Sequence, residues 1–164
     1  MAGLSPTWIA TLVLASVTLS LPCLLYGAWY ILDAENVTWG VLVRHLEIIG
    51  LGLALTTVPL VGWMLPRLFG QLTGFAMLHA VVGLQAYAML TFGFTGIVRV
   101  FRAKYEHDLY HDYDADVLLS EIGSEQLDYW RRRIRIGVFG YLFFWLLAYL
   151  LGVARYLVKY WLHG

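Results

Sequence analysis

Few side chains in this sequence have types that could do chemistry, and the most suggestive stand inside apolar runs. His79 shares one such run with Gln71 and Gln85. At 100° per residue the three fall within an arc of about 120°, so a helix carrying them turns all three toward one side. An ionisable group in such a run is costly to bury and is a functional candidate by default. An imidazole there can ligate haem iron, bond a quinone carbonyl or relay a proton. It can equally be a neutral ring hydrogen-bonded to a neighbouring helix.

A second group lies at the start of another apolar run. Arg44 and Glu47 are three residues apart and can pair on a helix surface. His45 stands between them, and His45, Gly52, Thr56, Pro59 and Trp63 share one helical face. His45 and His79 are the imidazoles available for a cofactor such as haem b. Counted from Pro66-Arg67, His45 is about 32 Å along its helix and His79 about 19 Å at 1.5 Å per residue. That difference in depth argues against one haem clamped by both, and makes His45 a second, separate site.

His107 and His111 have the most metal-like spacing, within Glu106-His107-Asp108-Leu109-Tyr110-His111-Asp112. Four apart on a helix, both rings face one side, as in helical zinc sites. A solvated acidic face is the plainer reading. Cys23 is the single cysteine, so neither an internal disulfide nor a thiolate cluster can form. No phosphate loop, nucleophile elbow or zinc-protease motif is present, and the chain reads as no enzyme.

The elements that must hold these residues follow from composition. Of the 164 residues 60% are hydrophobic, only 13% are charged, and the net charge is zero. A soluble domain carries about a quarter charged residues, and one this apolar would expose large apolar patches. Zero net charge gives no field that would draw nucleic acid. A bilayer-crossing helix needs about 20 mostly apolar residues, and four segments qualify: Trp8 to Leu32, Val41 to Leu65, Leu68 to Val98 and Ile136 to Tyr160. The first has no basic flank and outruns a signal-peptide core of about 7–15 residues, so it reads as a retained span. The expected fold is all-α: an integral membrane, up-and-down bundle of four transmembrane helices forming one domain, with a loop at 99–135.

Trp8, Trp29, Tyr30, Trp39, Trp63, Trp130, Tyr156, Tyr160 and Trp161 cluster near the proposed span ends, where amphipathic rings favour the headgroup region. Pro66-Arg67 predicts a tight hairpin between spans two and three. Gly70-x-x-x-Gly74, Ala76-x-x-x-Ala80 and Ala148-x-x-x-Gly152 predict close helix packing. Pro59 should free the carbonyl of Leu55, one turn earlier. Pro22 should do the same in span one.

The loop carries Arg99, Arg102, Lys104, Arg131, Arg132, Arg133 and Arg135, against Arg67, Arg155 and Lys159 on the other side. The positive-inside rule then puts the loop in the cytoplasm of a cell-membrane protein and both termini outside. Span three should continue as a helix through Phe101 and Tyr105. A short helix is expected over Asp116 to Ile122. Ser124 can cap a further helix whose apolar stripe of Leu127, Trp130 and Ile134 suits the membrane surface.

Leu78-His79-Ala80-Val81-Val82-Gly83, Tyr113-Asp114 and Asp128-Tyr129-Trp130-Arg131-Arg132-Arg133 resemble an uncharacterised haloarchaeal group of four-helix membrane proteins. That group looks like one linked to respiratory cytochrome genes. More distantly, a histidine-bearing third span and an arginine-led fourth are similar to the CtaM/YozB family of haem-copper oxidase maturation proteins. The resemblance implies a non-catalytic accessory or assembly factor of a respiratory cytochrome complex. A redox protein binding haem b or quinone through His79 is the alternative, and a small transporter is a third.

Overall fold

Ser5 opens the first helix by accepting the Trp8 backbone N–H at 3.4 Å, with Pro6 in the first turn, where its missing N–H costs nothing. Thr38 caps the second in the same way, from the Val41 N–H at 3.3 Å. The computed structural model describes residues 5–35, 38–71, 74–106 and 127–162. Within them four long helices form an all-α bundle: Pro6–Asp33, Trp39–Pro59, Gly74–Glu106 and Leu127–Leu157. Four stretches, Pro6–Ile31, Trp39–Leu68, Gly74–Arg99 and Tyr129–Leu162, are long and apolar enough to cross a membrane. Side chains well inside them, such as Leu19, Val58 and Phe139, are 60%, 70% and 72% exposed. Apolar surface of that extent favours leaving water, and lipid removes the penalty. The chain is a multi-pass membrane protein.

The reversal between spans two and three falls later than Pro66-Arg67. The second helix passes into a π-helical turn, Leu60–Met64, then a single α-turn, Leu65–Leu68, and a 3₁₀ turn, Phe69–Gln71. Pro59 withholds an N–H, and the following turn widens, with the Leu65 N–H reaching the Leu60 carbonyl. Pro66 then sits at the start of a new turn, where proline is tolerated. Gly74 adopts φ +51, a left-handed conformation that glycine reaches without strain, and opens the third helix.

Pro59 leaves the Leu55 carbonyl without its helical partner, as expected. Ser16 of the first helix donates to that carbonyl at 2.8 Å. A backbone vacancy in one span is thus filled by a side chain of another, which lipid requires because it offers no water.

Packing concentrates within two pairs, helix one with two and helix three with four. Glycines bring each pair close. A Cβ on Gly27 would stand 2.6 Å from Ile49 Cδ1, and one on Gly52 3.1 Å from Leu24 Cδ2. A Cβ on Gly137 would run into the backbone of Gly93, and one on Gly96 would stand 2.6 Å from Ile134 Cγ1. These are not the predicted small-residue motifs. Gly70 lies in the 3₁₀ turn with open space around it, and Gly74 is at the chain reversal. The buried core is small: Leu24, Ala86, Tyr141 and Trp145.

Two other expectations change. The stretch expected as a surface helix before span four is, among the described residues, the start of that span, because Leu127–Leu157 is one unbroken helix. Its Trp130 and Ile134 lie against Gly96 of the third helix instead of the membrane surface. Trp39 is buried, meeting Phe101 edge-on at 5.3 Å, and is no headgroup anchor. The third helix does run on past the span, to Glu106. The expected short helix at Asp116 to Ile122 and the Ser124 cap lie outside the described residues.

Candidate functional cavity

The two helix pairs are joined by hydroxyl groups. Thr11 Oγ1 and Tyr156 Oη lie 2.7 Å apart, Thr18 Oγ1 and Tyr149 Oη 3.2 Å, and Thr57 Oγ1 and Tyr87 Oη 3.0 Å. A threonine hydroxyl has one proton. Thr11 gives its proton to the Thr7 carbonyl and Thr18 to the Leu14 carbonyl, both on their own helix. Tyr156 and Tyr149 must therefore be the donors across the gap. Sequence reasoning took Tyr156 for a headgroup anchor and missed these pairs. Tyrosine and threonine inside spans were the available signal, but only the register between helices pairs them.

Toward the hairpin end a partly open cavity of about 300 Å³ lies between the pairs. Val13, Leu14 and Val17 line it from the first span, and Thr56, Leu60 and Trp63 from the second. The third span contributes Ala76, His79, Ala80 and Tyr87, and the fourth Trp145, Ala148 and Gly152. The Ala76/Ala80 and Ala148/Gly152 motifs thus face a hollow, and their small side chains help to make it. Trp145 and Tyr149 stack on its wall, with centroids 5.5 Å apart and planes at 2°.

His79 is the one histidine of the described residues on this wall. Its ring lies across the fourth helix where a Cβ on Gly152 would come 3.2 Å from Nε2. Among the described residues the imidazole makes no hydrogen bond. His79 is also shallower than the sequence suggested. The third helix starts at Gly74, so His79 is about 7.5 Å along it at 1.5 Å per residue.

The other proposed cofactor contacts are not brought to His79. Gln71 ends the 3₁₀ turn before the third helix, so the two do not share a helix. Gln85 is exposed on the outside of the bundle, because its neighbour Ala86 takes the buried face. His45 Nδ1 lies 2.7 Å from the Gly27 carbonyl oxygen, between helices one and two near the loop end. It clasps that pair together and faces another part of the bundle, so the two histidines do not form one site. Arg44 and Glu47 do pair, at 2.9 Å, both well exposed. His107 and His111 lie outside the described residues, and among the described residues no cluster of metal-binding side chains forms.

Three cations border the cavity: Arg67, Arg155 and Lys159. The Arg67 guanidinium lies 3.2 Å from the centroid of the Trp63 ring and donates to the Trp63 carbonyl at 3.3 Å. Lys159 Nζ stands 5.3 Å from the Tyr160 centroid. At the loop end Arg133 has a different role. It donates to Thr95 Oγ1 at 2.8 Å and lies over the Phe92 ring at 4.2 Å, tying helix four to helix three.

Fold and site together define a small all-α, multi-pass membrane protein with an apolar cavity between its helix pairs. The chain belongs to the family described as a domain of unknown function, DUF7321, whose model matches residues 6–161. The match carries no respiratory role with it. No curated protein and no solved structure matches the chain.

Proposed function

We propose that this chain is a non-catalytic membrane protein that holds one lipid-soluble molecule in the cavity at the hairpin end. The observation that carries this reading is the cavity itself: apolar walls from all four spans around one imidazole. Largely apolar pockets with a few convergent polar groups are the usual form of small-molecule sites, from about 300 Å³ upward. His79 is the polar contact inside, able to donate to or accept from a ligand according to its tautomer.

A quinone ring is the second reading. An imidazole with no hydrogen-bond partner among the described residues, set among aromatic walls, suits a carbonyl acceptor on a flat ring. A haem held by both His79 and His45 is not supported, since His45 lies between helices one and two and does not line the cavity that His79 faces. The sequence resemblance makes a respiratory cytochrome complex the partner to look for, with this protein as its accessory. In that setting the long loop faces the cytoplasm and both termini lie outside.

Trp63 and Trp145 on the wall give the assay. The protein in lipid nanodiscs is titrated with a short-chain quinone and with a brominated apolar ligand, following tryptophan quenching. Saturable quenching is expected, lost when Ala80→Phe fills the cavity. His79→Ala should weaken the quinone about tenfold, the value of one good hydrogen bond, and leave the thermal midpoint unchanged. Quenching that is linear and identical in Ala80→Phe would sink the reading.

A further inference from the structure

The charge of the bundle is divided between its ends. All 11 acidic residues lie in two stretches of the sequence, Asp33 to Glu47 and Glu106 to Asp128, around the joins of spans one and two and of spans three and four. The hairpin end has Arg67, Arg155 and Lys159 and no acidic side chain, and all three cations line the cavity. Each lies near the C-terminal end of its helix, where exposed carbonyls attract cations. That accounts for their places in the sequence. It does not account for all three converging on one apolar hollow.

The polar groups inside the hollow point the same way. The protons of Tyr149 and Tyr156 are committed to Thr18 and Thr11, so these hydroxyls offer acceptors only. The strong donors on the lining are the guanidinium and ammonium groups at the hairpin end. A ligand seated here meets N–H donors and positive charge at one end and hydrocarbon, aromatic faces and His79 within.

Resting on the cavity reading above, we propose that the ligand is an anionic amphiphile. Its carboxylate or phosphate head is held by Arg67 and Lys159, and its apolar chain occupies the hollow. Arginine matches such heads with two parallel N–H donors, and lysine adds a point charge. The same chemistry could come from a lipid headgroup or from a free anion, and the test separates them.

The full chain in zwitterionic phosphatidylcholine nanodiscs is titrated with an ω-bromo fatty acid, with its methyl ester, and with a brominated alkyl phosphate. Tryptophan quenching is the readout. The acid and the phosphate should bind at least about tenfold tighter than the ester, a modest value for charge-assisted hydrogen bonds. Arg67→Gln with Lys159→Gln should erase that preference, read as the ratio of acid to ester affinity within the same variant. Lys159→Gln alone should reduce it, which keeps the test intact if loss of the Arg67–Trp63 contact prevents folding. Arg67→Lys with Lys159→Arg should restore part of it. Inorganic phosphate that displaces the acid at similar concentration would assign the cations to a free anion. Phosphate that fails to displace it assigns them to a lipid-like head. Equal affinity for acid and ester overturns this proposal and leaves the cavity reading standing. No saturable binding of any of the three overturns both.

Discussion

Ser16→Ala offers a measurement of how one span completes the backbone of another. Residue 59 is proline, so the Leu55 carbonyl receives no N–H from its own helix, and the Leu60 N–H goes to Thr56 and Thr57. Ser16 Oγ supplies the missing donor at 2.8 Å. A buried acceptor stripped of its partner costs about 1–3 kcal/mol. Interhelical hydrogen bonds in membranes average about 0.6 kcal/mol and reach about 1.7. We expect Ser16→Ala to cost about 1–2 kcal/mol, toward the upper part of the membrane range, because water cannot replace the hydroxyl. The decisive background is Pro59→Ala. An alanine there restores an N–H to the Leu55 carbonyl, and Ser16 becomes a spare donor. The Ser16→Ala cost should then shrink by about 1 kcal/mol, a coupling that a double-mutant cycle reads directly. Reversible unfolding in mixed micelles, titrated with dodecyl sulfate and followed by circular dichroism, gives all four free energies. Equal costs in the two backgrounds, within about 0.3 kcal/mol, would refute the claim that proline creates the vacancy Ser16 fills.

Other consequences can be checked in the same assay. Gly137→Val should destabilise by about 1–3 kcal/mol through overpacking against the Gly93 backbone, whereas Gly50→Ala, with open space at its Cβ, should be neutral or stabilising by up to about 1 kcal/mol. Tyr156→Phe should cost about 0.6 kcal/mol, and the same loss should follow Thr11→Val without adding to it, since both remove one bond. Arg44→Gln should cost under about 1 kcal/mol, and that cost should fade as salt rises, because the pair with Glu47 is exposed and screened.

Where the protein lives and how many times its chain crosses were legible in the residues. Span length and apolarity are local properties: about 20 apolar residues in a row have few other uses. The Arg44–Glu47 pair, the vacancy at Leu55 and the extension of helix three to Glu106 were legible for the same reason. Each depends on neighbours within a turn or two of one helix.

What the sequence could not decide was the register of one helix against another. The reversal moved beyond Pro66-Arg67 because a π-turn absorbed Pro59 and left Pro66 at a position that tolerates it. That shift carried Gln71 off the helix of His79 and brought His79 nearer the bundle end. A face of about 120° is too coarse to separate inside from outside, and Gln85 fell on the lipid side. Glycine spacing marked where close approach was affordable, but Gly93 and Gly137 meet only because two particular helices cross there. Tyrosines near span ends carry the same residue type whether they anchor to headgroups or bond a threonine of the next span. Composition, length and helical period therefore determined a four-span membrane protein by themselves. Which small residues touch, which hydroxyls pair, and the gathering of His79, two tryptophans and three cations around one hollow are contacts between residues far apart in the chain. They arise from helix crossing and depth, which no local pattern encodes.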